Sequence, residues 1–128
     1  MIRGYRRRVF TPRPADLLAV LAGGFVGTAA RQVVLLLGPA AGLAVANLLG
    51  CALLGILDAI LGSRWPRLRC FLVVGGIGAF TSWSSLAVQG LSVAGLTILV
   101  FEVPAGVGAA WLGRRLGTRL VRRGRTRT

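Results

Sequence analysis

Gly75-Gly76-Ile77-Gly78-Ala79-Phe80-Thr81-Ser82-Trp83-Ser84-Ser85 lies inside an apolar segment running from about Cys70 to Gln89. That segment is long enough to cross a bilayer. Its middle, however, is glycine followed by hydroxyls, which is poor helix material. In hydrocarbon an unpaired backbone group is costly, so a broken backbone persists there only when buried in protein or lining a polar cavity. The break, with the hydroxyls of Thr81, Ser82, Ser84 and Ser85 after it, fits two readings. One is a ligand site, since half-helix ends present N–H groups to anions and free carbonyls to cations. The other is a seam of small residues that lets helices approach closely.

Three further apolar blocks surround this segment. The spans expected are about Ala15 to Leu37, Leu43 to Leu61, the broken third, and Leu91 to Leu112. They are joined by a tight uncharged turn at Gly38–Gly42, a basic loop at Gly62–Arg69 and Gln89-Gly90. A 128-residue chain with 55% hydrophobic residues and a mean hydropathy of +0.74 has the composition of a membrane protein with one domain. The organisation expected is a basic arm over residues 1–14, a four-helix membrane domain over 15–113 and a basic tail over 114–128.

The net charge of +13 does not point to nucleic acid. The arginines cluster at the ends and in one loop, with no aromatic-interleaved patch to stack bases. Arginines 3, 6, 7, 8 and 13, then 64, 67 and 69, then 114, 115, 119, 122, 123, 125 and 127 all fall on one side of a four-span chain. The opposite loops carry none, and only Arg31 lies near that side. This bias places both termini in the cytoplasm of a multi-pass plasma-membrane protein, with the basic arm read as a retained tail rather than a cleaved signal.

Enzyme chemistry has little to work with. There is no His, the only carboxylates are Asp16, Asp58 and Glu102, and Cys51 and Cys70 lie in or beside apolar segments as free thiols. Asp16 sits at a helix N-terminus, where the dipole favours it. Asp58 is within reach of the basic loop and is expected to form an ion pair there. Within the spans, Arg31, Asn47 and Glu102 stand out. Arg31 is close enough to a span end to snorkel, yet intramembrane arginines are often functional. Asn47 is either interhelical glue or a donor facing a polar pathway. Glu102 is near mid-span, one residue before Val103-Pro104, where a kink is expected.

Three motifs in order, Gly23-Gly24-x-x-Gly27-x-x-x-Arg31, Gly42-x-x-x-x-Asn47-x-x-Gly50 and Gly78-x-x-Thr81-Ser82-Trp83-Ser84-Ser85, together resemble the Fluc (CrcB) fluoride channels. The resemblance runs from about Gly23 to Gly113. It implies an all-α integral membrane protein with four transmembrane helices, the third broken at its centre, assembled as an antiparallel dimer. It also implies a passive path for fluoride lined by Asn47, Ser82, Trp83, Ser84 and Leu86, with Arg31 at the aqueous vestibule. Backbone carbonyls of Gly78 and Thr81 from both subunits would hold a structural Na+, a hard cation that suits such oxygens. The chain departs from the family where its two pore phenylalanines would fall, at Trp83 and Leu86, and where a fourth-span serine aligns near Glu102.

An antiparallel homodimer requires one chain to insert both ways, and the charge bias here opposes that. The expectation is therefore a fluoride channel subunit paired with a paralogous chain of opposite orientation. The alternative is a small four-helix drug/proton antiporter using Glu102, and a third reading is a non-transporting assembly subunit.

Overall fold

The computed structural model describes residues 13–62 and 64–125. The basic arm expected over 1–14 therefore lies outside the described residues except for Arg13 and Pro14, as do residues 126–128 of the tail. The described chain is all helical, in the order α1 (Pro14–Leu35), α2 (Pro39–Leu61), α3 (Pro66–Arg69), a π-helical segment π1 (Cys70–Ile77), α4 (Gly78–Phe80), α5 (Trp83–Gln89) and α6 (Val93–Arg125). Four stretches are long and apolar enough to cross a membrane: Pro14–Leu35, Pro39–Leu61, Pro66–Val88 and Gly95–Arg123. The chain is a multi-pass membrane protein.

Proline sets the starts. Pro14, Pro39 and Pro66 each open a helix, where the missing N–H is not needed and φ is already helical. The first turn is accordingly shorter than the Gly38–Gly42 expected, because α2 begins at Pro39. The end of α1 tightens through Leu36 N–H to Val33 O and Gly38 N–H to Leu35 O, and Gly38 then takes φ 111°, which a side chain would oppose. Asp16 occupies the first turn of α1. Arg67 Nε stands 4.0 Å from it. Asp58 pairs with Arg69 at 2.9 Å, as the sequence led us to expect. Arg69 also donates to the Gly62 carbonyl at 3.3 Å, so one guanidinium ties the end of α2 to the start of the third span.

The helices pack as two pairs, and glycine makes each contact. A Cβ at Gly23 would overlap the Phe71 carbonyl, one at Gly27 the Gly76 carbonyl, and one at Gly75 the Val20 carbonyl. The Gly23-x-x-x-Gly27 motif is thus the seam between α1 and π1. The second pair is α2 on α6, where Gly55 meets the Ala110 carbonyl, Gly113 meets Ala52 and Gly117 meets Ile56 and Ala59. Where lipid tails are as apolar as leucine, this backbone approach supplies the packing attraction.

The core of the single chain is small. Only Leu43, Ala46, Leu61, Ile77 and Leu86 are buried among the described large apolar and alanine positions, while residues such as Phe25, Leu36 and Phe101 stand exposed. Such a surface belongs in lipid or against another subunit.

Two expectations are corrected. The fourth helix does not end near Leu112: α6 continues to Arg125, because Gly113 and Gly117 still seat it on α2 and Arg115 stacks over the Trp111 ring at 3.8 Å. Pro104 lies inside α6 without ending it. The third span does not break at its glycines either. Gly75, Gly76 and Gly78 remain helical, and the backbone turns extended only at Thr81 (φ −83°, ψ 155°) and Ser82 (φ −144°, ψ 96°). Gly75 and Gly76 serve close packing, Gly78 faces open space, and the hydroxyl residues carry the break.

Candidate functional site at the break of the third span

The break is held by side chains. In a continuous helix the Ser82 amide would close onto the Gly78 carbonyl and the Ser85 amide onto the Thr81 carbonyl. Instead the Ser82 N–H donates to Asn47 Oδ1 at 2.9 Å, and the Ser85 N–H donates to Ser82 Oγ at 3.3 Å. Ser82 is thereby the N-cap of α5, with its hydroxyl donating to Ser85 Oγ at 2.7 Å and lying 3.4 Å from Ser84 Oγ. On the other side of the break, Thr81 N–H and Thr81 Oγ1 both donate to the Ile77 carbonyl at 3.0 Å. The diverted amides release the Gly78 and Thr81 carbonyls from their helical partners, which is the donor chemistry a hard cation needs.

Asn47 and Gly50 act together from α2. One turn apart, Asn47 takes the Ser82 amide, while Gly50 leaves room for the Thr81 methyl, which a Cβ there would overlap. That explains the Asn47-x-x-Gly50 spacing physically. Asn47 is also a donor: its Nδ2 bonds Glu102 Oε1 at 2.9 Å. A relay therefore runs from the α5 backbone, through the Asn47 amide, to a carboxylate on α6. Glu102 is only 8% exposed, as is Ser82. Among the described residues no arginine pairs with it.

Asn47, Thr81, Trp83, Leu86 and Glu102 share one cleft of about 340 Å³, floored by Ile77 and the Cys51 side. Leu86 is buried and Trp83 exposed. Of the expected path residues, the structure thus joins Asn47, Ser82, Trp83, Ser84 and Leu86 around one break. Gly78 instead borders an open groove of about 760 Å³ on the α1 side, with Gly24, Thr28 and Gly75. Arg31 lines neither cleft. Its Nε is buried without a hydrogen-bond partner among the described residues.

Two residues of the site were not assigned to it from sequence. Glu102 stood out as a mid-span carboxylate, but its bond to Asn47 joins positions 55 apart, and no local pattern encodes that. Ser85 carried a usable signal: Ser82-x-x-Ser85 has the spacing by which an N-cap and the third helical residue bond each other.

Residues 18–114 match the family described as CrcB-like protein, Camphor Resistance (CrcB). The chain belongs to the CrcB family. It is 31% identical over 113 residues to a fluoride-specific ion channel FluC of Cereibacter sphaeroides, covering 83% of this chain and 86% of that one. It is 35% identical over 117 residues to FluC of Ruegeria pomeroyi, covering 82% and 92%. It is 39% identical over 113 residues to FluC 2 of a Synechococcus species, covering 82% and 83%. No solved structure matches it significantly. CrcB members bearing these names are ion channels, and the chain is not an enzyme. All three motifs fall inside the matched residues, including the Asn47–Ser82 bond that holds the break.

Proposed function

We propose that this chain is a subunit of a fluoride-selective channel through which F⁻ leaves the cytoplasm passively, protecting the cell from fluoride. The observation that carries the reading is the Asn47–Ser82 bond at the break of the third span, in a chain of the CrcB family. It sets the Asn47 amide and Thr81 beside Trp83 in one cleft, with Ser82 and Ser84 next to it at the break. Fluoride is compact and strongly hydrated, so its dehydration needs strong N–H and O–H donors. Asn47 and Ser84 supply them, the Ser82 hydroxyl joins them once it turns from Ser85, and Trp83 adds an electropositive ring edge. Leu86 contributes only apolar wall, and Arg31 would attract the anion from the vestibule.

The chain works in an antiparallel dimer. The exposed apolar faces and the groove beside Gly78 support a partner, and the one-sided arginines support a fixed orientation with both termini cytoplasmic. A chain so oriented pairs with a related chain of opposite orientation. The numbered names FluC 1 of Methanospirillum hungatei and FluC 2 of Synechococcus fit the existence of such sister chains. At the centre of the dimer, the released carbonyls of Gly78 and Thr81 fit a structural Na+, which they would coordinate and which would fix the two breaks together. A drug/proton antiporter, by contrast, needs Glu102 free to exchange its proton for a cation, and here Asn47 holds it.

Fluoride efflux from liposomes tests the proposal with this chain alone, a candidate partner alone and the two co-purified. Efflux from the pair only is expected. Efflux from this chain alone would keep the channel and overturn the heterodimer. Silence in all three would overturn the channel.

A further inference from the structure

Glu102 sits where an anion would go. Its Oε1 accepts an N–H of Asn47 at 2.9 Å, while the other end of the same amide is committed to the Ser82 backbone at 2.9 Å. An asparagine amide has two N–H donors and one carbonyl. The carbonyl and one donor are therefore used within the chain. An anion on the second donor would lie beside the carboxylate, with no arginine among the described residues to offset it. Glu102 is 8% exposed and walls the cleft that Asn47, Thr81, Trp83 and Leu86 also line. It also lines a second, apolar cleft between α2 and α6, with Leu48, Thr97 and Phe101. It is thus a partition between the two, held by a single hydrogen bond.

Resting on the channel reading above, we infer that Glu102 is a tethered acceptor that competes with fluoride for Asn47 and sets how weakly this chain's own path conducts. Because the carboxylate is on α6 and the amide is fixed on α2, release needs only a rotation of the Glu102 side chain and leaves the Asn47–Ser82 bond intact. The chain's path is attenuated, and a partner lacking such a carboxylate carries the larger current.

The alternative role, a strut that positions Asn47, predicts the opposite response. Fluoride efflux from the co-purified pair would be measured with the unaltered chain, Glu102→Ala, Glu102→Gln, Asn47→Ala and the Glu102→Ala/Asn47→Ala double variant. A regained N–H should raise conduction through this chain's own path by about tenfold in Glu102→Ala, the equivalent of one hydrogen bond at the upper end of its net range, read as added efflux over the partner's unchanged share. Glu102→Gln keeps an acceptor oxygen without charge and should show a smaller gain. The gain should vanish in the double variant. Lower efflux for Glu102→Ala with unchanged efflux for Glu102→Gln would establish the strut and overturn the competition. An equal gain with and without Asn47 would also overturn it, since the carboxylate would then act by charge alone. No efflux from any version would overturn the channel reading itself, and this inference with it. A well-folded dimer on size-exclusion chromatography is the check applied to each variant, and Glu102→Gln, the closest in shape, keeps the test open if Glu102→Ala does not assemble.

Discussion

Asn47 joins two elements to its own helix. Its carbonyl takes the Ser82 amide and its NH2 holds Glu102, so truncation strands a backbone N–H and a carboxylate at once. Asn47→Ala is expected to lower detergent-solubilised stability by about 1–3 kcal/mol, the penalty for buried groups left unpaired, and to remove the share of fluoride efflux carried by this chain's own path; a thermal melt and a flux assay check the two together. Asn47→Asp keeps an oxygen for Ser82 but faces Glu102 with a second carboxyl, so it should conduct no better than Asn47→Ala. Gly50 belongs to the same scale. A Cβ there overlaps the Thr81 methyl, and Thr81 cannot yield because its hydroxyl is held by the Ile77 carbonyl. Gly50→Ala should cost about 1–3 kcal/mol through overpacking, read as a lower melting temperature. Asn47 was visible in the sequence as the lone amide of its span, and Gly50 as part of its motif. What each touches was not, because both contacts cross from α2 to the third span.

Among the elements, the two glycine seams divide the labour. Gly23 and Gly27 admit the backbone of π1, and Gly55, Gly113 and Gly117 join α2 to α6. Neighbouring backbone cannot move aside as a flexible side chain can, so Gly27→Ala and Gly113→Ala should each separate a helix pair, seen as lost dimer on size-exclusion chromatography. Gly108 faces open space. Gly108→Ala should leave assembly intact and gain about 0.5–1 kcal/mol from helix propensity, a matched control on the same helix. The third span shows how far local propensity reaches. Glycine content marked Gly75–Gly78 as the weak point, yet the stretch stays helical, with Gly75 and Gly76 in the seam against α1. The chain opens two residues later, where Ser82 finds Asn47 to take its amide and its own hydroxyl caps α5.

At the scale of the molecule, α6 is 33 residues long, about 50 Å at 1.5 Å per residue, against a hydrocarbon core of about 30 Å. Its end, bearing Arg114, Arg115, Arg119 and Arg122, therefore extends past the core on the side that also holds Arg64, Arg67 and Arg69. That makes orientation a property of the whole chain. A reporter fused after residue 128 should be cytoplasmic. Placing two arginines in the Gly38–Pro39 turn while neutralising Arg64, Arg67 and Arg69 should yield a mixed population of orientations, measured with paired reporters active on opposite sides of the membrane. Hydropathy and charge are sums over many residues that act through the bilayer, an environment the same for every chain. The sequence therefore determined by itself the four spans and the family motifs that set the third apart. The place where that span opens, the persistence of α6 to Arg125 and the bond between Asn47 and Glu102 were decided only by the tertiary structure, because each depends on which backbone atoms a distant segment brings within hydrogen-bond or van der Waals reach.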